Sequence, residues 1–142
     1  FRRHRYLRRM RKRTLVFGPA LLLLTLLSCE KDDGDVGSSG VDITFRTDSG
    51  YTYMSDTVAQ ADTLRIGTVI SEGSDPLQRF YLSISLDSAS AAGLDTVEVS
   101  VNPFTYELMH LTRAQPGTEQ VIFTVEEPDG DRTTRRLTFT VL

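Results

Sequence analysis

From Val41 to the C-terminus the apolar residues mostly recur at every second position, and this periodicity constrains the fold more than any other feature of the chain. Val41, Ile43 and Phe45 alternate with Asp42, Thr44 and Arg46. Leu64, Ile66 and Thr68 alternate with Arg65 and Gly67. Phe80, Leu82, Ile84 and Leu86 alternate with Tyr81, Ser83 and Ser85, and Val97, Val99 and Val101 with Glu98 and Ser100. Val121, Phe123 and Val125 alternate with Ile122 and Thr124, and Leu137, Phe139 and Val141 with Thr138 and Thr140. Successive side chains on opposite faces are the signature of a strand with one face buried and one in water. A less regular run, Thr105 to Thr112, fits either a seventh strand or a helical turn through Tyr106, Leu108, Met109 and Leu111.

Turn-forming residues punctuate these runs: Asp48-Ser49-Gly50, Glu72-Gly73-Ser74-Asp75-Pro76, Ala92-Gly93, Asn102-Pro103 and Pro116-Gly117. Pro128-Asp129-Gly130 between two alternating runs is the clearest hairpin signal. No segment offers an amphipathic helix of useful length. About seven short strands at this spacing predict an all-β chain, an antiparallel β-sandwich of immunoglobulin-like size over residues 41–142.

The last third carries a resemblance. Pro116-Gly117-Thr118-Glu119-Gln120-Val121-Ile122-Phe123-Thr124-Val125, then Pro128-Asp129-Gly130, then Leu137-Thr138-Phe139-Thr140-Val141, resembles the final hairpin of bacterial immunoglobulin-like domains of the PKD type. Glu126-Glu127-Pro128 stands where those domains have an aspartate-containing turn. The resemblance implies a fold and no activity.

The front of the chain has a different composition. Eight of its sixteen basic groups, and none of its nineteen acids, precede Cys29, so the remainder from Cys29 onward carries a net −11. Met10-Arg11-Lys12-Arg13 is a compact basic segment. Leu15 to Ser28 follows as an apolar run of fourteen residues, broken by Gly18-Pro19. A spanning helix needs about 20 apolar residues, whereas the apolar core of a signal peptide has about 7–15. Residues 1–28 are therefore expected to be a signal peptide with its start at Met10.

Leu26-Leu27-Ser28-Cys29 resembles the lipobox of bacterial lipoproteins. The resemblance implies cleavage before Cys29, a diacylglyceryl group on its sulfur and acylation of the new amino terminus. One chain anchors only marginally at about 0.8 kcal/mol per buried CH₂, while two or three hold firmly. With Cys29 lipidated, the chain's single cysteine leaves no disulfide, no thiolate metal site and no thiol nucleophile. Residues 29–40, from that cysteine through EKDDGDVGSSG, are too polar and Gly/Ser-rich to fold and are expected to be a flexible tether reaching about 17–20 Å. Lys31-Asp32-Asp33 resembles the export signal of surface lipoproteins of Bacteroidota-type bacteria. That implies an outer-membrane protein on the cell surface, the alternative being its periplasmic face.

Candidate chemistry is sparse. His110 is the one histidine after the signal segment, and no serine sits in a nucleophile elbow, so His110 is expected to be an ordinary strand or loop residue. A small envelope hydrolase would need His110 within about 3 Å of a serine or acid in a cleft. Glu126, Glu127, Asp129 and Asp131 flank one turn and are expected to point outward. A calcium site there competes with the purely conformational use of Asp-Gly. With no tryptophan in the chain, Tyr51, Tyr53 and Tyr81 are the candidate ligand contacts, as a modest glycan-binding strip or as packing residues. The basic head, with Phe1 and Tyr6 among its arginines, could also be an RNA-binding arm, but the apolar run behind it fits a secretory signal better, and the acidic body argues against nucleic acid. The expectation is a non-catalytic, lipid-anchored binding or accessory module without metal or cofactor. Its partner would be a glycan, a nutrient-uptake complex or another envelope protein.

Overall fold

The alternating runs fold as strands, with one displacement and one addition. The structure, a computed structural model, describes residues 40–142. The segment expected to be a signal peptide (residues 1–28), with Met10, and Cys29, Lys31, Asp32 and Asp33 lie outside the described residues. The strands are β1 Asp42–Phe45, β2 Asp56–Val58, β3 Thr63–Ser71, β4 Arg79–Leu86, β5 Ala92–Glu98, β6 Phe104–Leu111, β7 Gly117–Glu126 and β8 Arg132–Val141. They form a three-stranded sheet, β1-β3-β6, and a five-stranded sheet, β2-β8-β7-β4-β5. Among the described residues there is no helix, and Thr105–Thr112 resolves as strand rather than helical turn.

This is an immunoglobulin-like β-sandwich. Seven of the strands pair antiparallel, as expected. The eighth, β2, pairs parallel with the end of β8 from Asp56↔Phe139 to Val58↔Val141, so the sandwich is not wholly antiparallel. Ala92-Gly93, expected as a turn, begins β5. That strand ends at Glu98, before Val99 and Val101. Val99 still turns inward and donates its N–H to Gln78 O at 2.9 Å, while Val101 is exposed.

The core is built from the in-phase residues of both sheets. On β7, the five-stranded sheet's central strand, Glu119, Val121, Phe123 and Val125 face inward and are buried, and Glu127, just past the strand's end, continues the series. Ile66 and Ile70 oppose them from β3, and Phe80 and Leu82 flank them on β4. Aromatic rings knit the sheets together: Phe80 lies 4.7 Å from Tyr106, and Phe45 meets Phe123 edge-on at 5.3 Å. The fully buried Phe80 and Phe123 each contribute about 1.5–3 kcal/mol by leaving water.

The connections are tied by backbone and carboxylate bonds. In the β7–β8 turn Gly130 adopts φ +94°, the left-handed conformation that Pro-Asp-Gly supplies at low cost. Glu127 N–H donates to Asp131 O and Gly130 N–H to Glu127 O. After β4, Asp87 accepts from Thr118 N–H at 2.9 Å and from Arg113 Nη1 at 2.6 Å, fastening that turn to the start of β7.

Candidate functional site

Each outer face of the sandwich carries one tyrosine enclosed by arginines and a glutamate. On the three-stranded sheet, β3 places Arg65 and Gly67 outward, and β6 places Glu107 beside Gly67. The chain after β1 returns along β3, with Thr52 N–H donating to Arg65 O, so Tyr51 is laid over Gly67. A Cβ at Gly67 would stand 2.7 Å from Tyr51 Cε1 and 2.9 Å from Arg46 Cδ, so a glycine is needed for this close approach. The guanidinium carbons of Arg46 and Arg65 each lie 4.3 Å from the centre of the Tyr51 ring. Both arginines also bond Glu107 at 2.9 Å, and the Tyr51 hydroxyl donates to Glu107 Oε1. The Tyr51 hydroxyl's hydrogen bond and the Arg65 guanidinium hold the Glu107 carboxyl below the usual range, and the same bond to Glu107 raises Tyr51.

The five-stranded sheet repeats the theme with different residues. Tyr81 on β4 donates its hydroxyl to Glu126 Oε2 at 3.1 Å and accepts from Arg79 Nη1 at 3.3 Å. Arg132 lies over the ring at 5.3 Å and donates its Nε to Glu126 at 2.7 Å. Arg79 also pairs with Glu98 at 2.6 Å. Arg132 first, and Tyr81 after it, hold the Glu126 carboxyl low. Tyr51 and Tyr81 thus stand on opposite outer faces and do not share a patch. Tyr53 is exposed. Both enclosed rings have cations where a sugar ring would stack, and their hydroxyls are engaged.

Of the two glutamates expected to point outward, Glu126 does so and Glu127 does not. Adjacent residues of a strand point to opposite faces, so Glu126 joins the outer cluster while Glu127 continues the inward series of β7. Glu127 is 1 % exposed, and among the described residues neither carboxyl oxygen has a hydrogen-bond partner. The Asp129–Asp131 turn is held by Asp131 N–H donating to Asp129 Oδ1. Among the described residues no group of three or more His, Asp or Glu is placed to hold a metal.

At the other end of β7, Glu119 is 2 % exposed and fully bonded. Its Oε2 lies 2.8 Å from His110 Nε2, and its Oε1 accepts Arg113 N–H at 2.7 Å. In immunoglobulin-type domains a tyrosine at the start of the corresponding strand hydrogen-bonds back to the connection before it. Glu119 performs that fastening here, with His110 as its second partner. His110 therefore does lie within 3 Å of an acid, yet the pair is buried against Phe139 rather than set in a cleft. Between β5 and β6, the Tyr106 hydroxyl donates to Asp95 Oδ2 at 2.7 Å. Burial, and then this bond, push Tyr106 up to about 12.

Sequence reasoning picked out Tyr51 and Tyr81 but did not join them to their partners, because Arg65, Glu107, Arg132 and Glu126 come from strands distant in sequence, and Arg46 from the connection after β1. The parity of Glu119 and Glu127 with Val121, Phe123 and Val125 was a usable signal for burial. Scanned against protein-family models the chain finds no match, and a search of curated proteins finds none.

Proposed function

We propose that the chain is a lipid-anchored, non-catalytic binding or accessory module of the bacterial cell envelope. Cys29 is the attachment atom, residues 30–40 are the spacer, and the sandwich is the part presented. The observation that carries this reading is Leu26-Leu27-Ser28-Cys29 behind a basic segment and an apolar run too short to span, followed at once by an acidic tether. Lys31-Asp32-Asp33 favours the cell surface over the periplasmic face. The domain's single histidine supports the non-catalytic reading, because it is committed to the Glu119 fastening. The separation of Tyr51 from Tyr81 weighs against one glycan strip across both.

Protease shaving of intact cells tests the proposal, with Cys29→Ala as control. The wild-type domain should be cleaved from whole cells and should incorporate labelled fatty acid, and the Cys29→Ala chain should do neither. Protection of the wild type in intact cells would remove surface display. Absence of lipid on the wild type would remove the anchor.

A further inference from the structure

A sheet edge is a row of unpaired N–H and C=O groups, and folded proteins normally blunt it. The two sheets end in four edge strands, β1, β6, β2 and β5. Three are blunted. β2 is only three residues long. β1 is four residues long, and Arg135 reaches from β8 to donate to its Ile43 carbonyl at 3.3 Å. β5 carries a register shift opposite Leu82/Ser83, with Asp95 and Glu98 along its length. β6 has none of these devices. It runs eight residues in unbroken register with β3, from Thr63↔Leu111 to Ile70↔Phe104, without proline or lysine. Among the described residues it pairs on one side only. On its outer face Met109 and Leu111 are 63 % and 64 % exposed.

Charge adds a second observation. Residues 40–142 hold seven arginines against fifteen carboxylates, a net −8 that opposes association of like copies. The β6 strand itself adds little of this charge, although Asp95 of β5 stands against its Tyr106 hydroxyl. Its one carboxylate, Glu107, is met by both Arg46 and Arg65, and its one histidine is buried on Glu119. The strand offers no unpaired charge with which to select a cationic or anionic foreign peptide. A copy of itself matches it in length, alternation and neutrality.

We propose that β6 is a self-association edge: two copies of this chain pair β6 to β6, antiparallel about a two-fold axis, so that two three-stranded sheets become one of six strands. The axis keeps core sides together, so odd-numbered residues face odd-numbered ones. Centring on Glu107 would set the two carboxylates against each other, which is unfavourable. Centring on Leu108 sets Leu108 against its counterpart, Glu107 against Met109 of the second copy, and Thr105 against Leu111. That register covers the exposed apolar residues and opposes no like charges.

Disulfide trapping of the full chain in cells tests the register. Leu108→Cys should give a covalent dimer on mild oxidation. Leu94→Cys on β5, and the wild-type chain, whose one cysteine is the lipidated Cys29, should not. Sedimentation of the detergent-solubilised full chain tests the affinity. Met109→Asp faces Glu107 of the second copy and should weaken the dimer by about tenfold, whereas Met109→Lys should preserve it. Met109 is exposed, and circular dichroism would establish that both variants keep the strand spectrum. A wild-type chain that sediments as a monomer at every concentration overturns the proposal. So does trapping at Leu94 as readily as at Leu108, or trapping of Leu108→Cys to a different protein.

Discussion

Glu119 and Glu127 stand at either end of the inward face of β7, and the same residue type plays opposite energetic roles there. Glu119 satisfies an orphan backbone donor and a buried imidazole at once. Glu119→Ala strands both partners and should cost about 2–4 kcal/mol in denaturant unfolding. Glu119→Gln keeps an acceptor for Arg113 N–H and should cost less. Glu127 has the burial, but its carboxyl oxygens have no partner among the described residues. Glu127→Met, similar in volume and apolar, should therefore stabilise the domain by about 1–3 kcal/mol, read as a raised denaturant midpoint with an unchanged slope. A lowered midpoint would mean that the carboxylate is satisfied in solution. Both positions were legible as inward by period-two parity, but their charge marked them for water. Parity won because a strand cannot rotate one side chain to the other face without shifting its register.

At the scale of the element, β3 shows how a single missing side chain organises a face. Gly67 leaves the space into which Tyr51 settles, and Tyr51 in turn aligns Arg46, Arg65 and Glu107. Gly67→Val should eject the ring while leaving the core face of β3 in place. The expected readout is a lower melting temperature together with faster tyrosine nitration at Tyr51, located by peptide mapping. Unchanged nitration would show that the ring is not held by this approach. The strands themselves were legible to unequal degrees. β7 alternates along nearly its whole length because one face is buried throughout, β4 does so through Leu82, and β8 does so from Leu137 onward. β2 has no such pattern, with no buried residue in Asp56–Val58, and it exists because the end of β8 offers it partners. β5 was misplaced for a related reason. It overhangs the core, so the valines that looked like its inward face mark instead its end and the connection beyond.

For the whole molecule, the outer-face clusters and the Asp87 fastening link stability to pH through the same kind of group. Glu107, Glu126 and Asp87 all have carboxyls held below their usual range, by Tyr51 with Arg65, by Arg132 with Tyr81, and by Arg113 with Thr118 N–H respectively. A carboxyl that is more acidic folded than unfolded stabilises the fold above its unfolded value, and that contribution is lost as pH falls through the folded one. The domain's net −8 pulls the other way, since partial protonation first relieves self-repulsion. Stability should accordingly change little from neutral pH down to about 5, then fall steeply below about 4 as the bonded carboxyls themselves take up protons. The double variant Glu107→Gln/Glu126→Gln separates the two effects. It should be less stable than the wild type at pH 7 and should lose less on acidification, so the two curves converge at low pH. All three groups are solvent-accessible, so added salt should shrink the gap at pH 7. Parallel curves for wild type and variant from neutral to acid pH would show that the clusters position Tyr51 and Tyr81 without contributing to the acid limb.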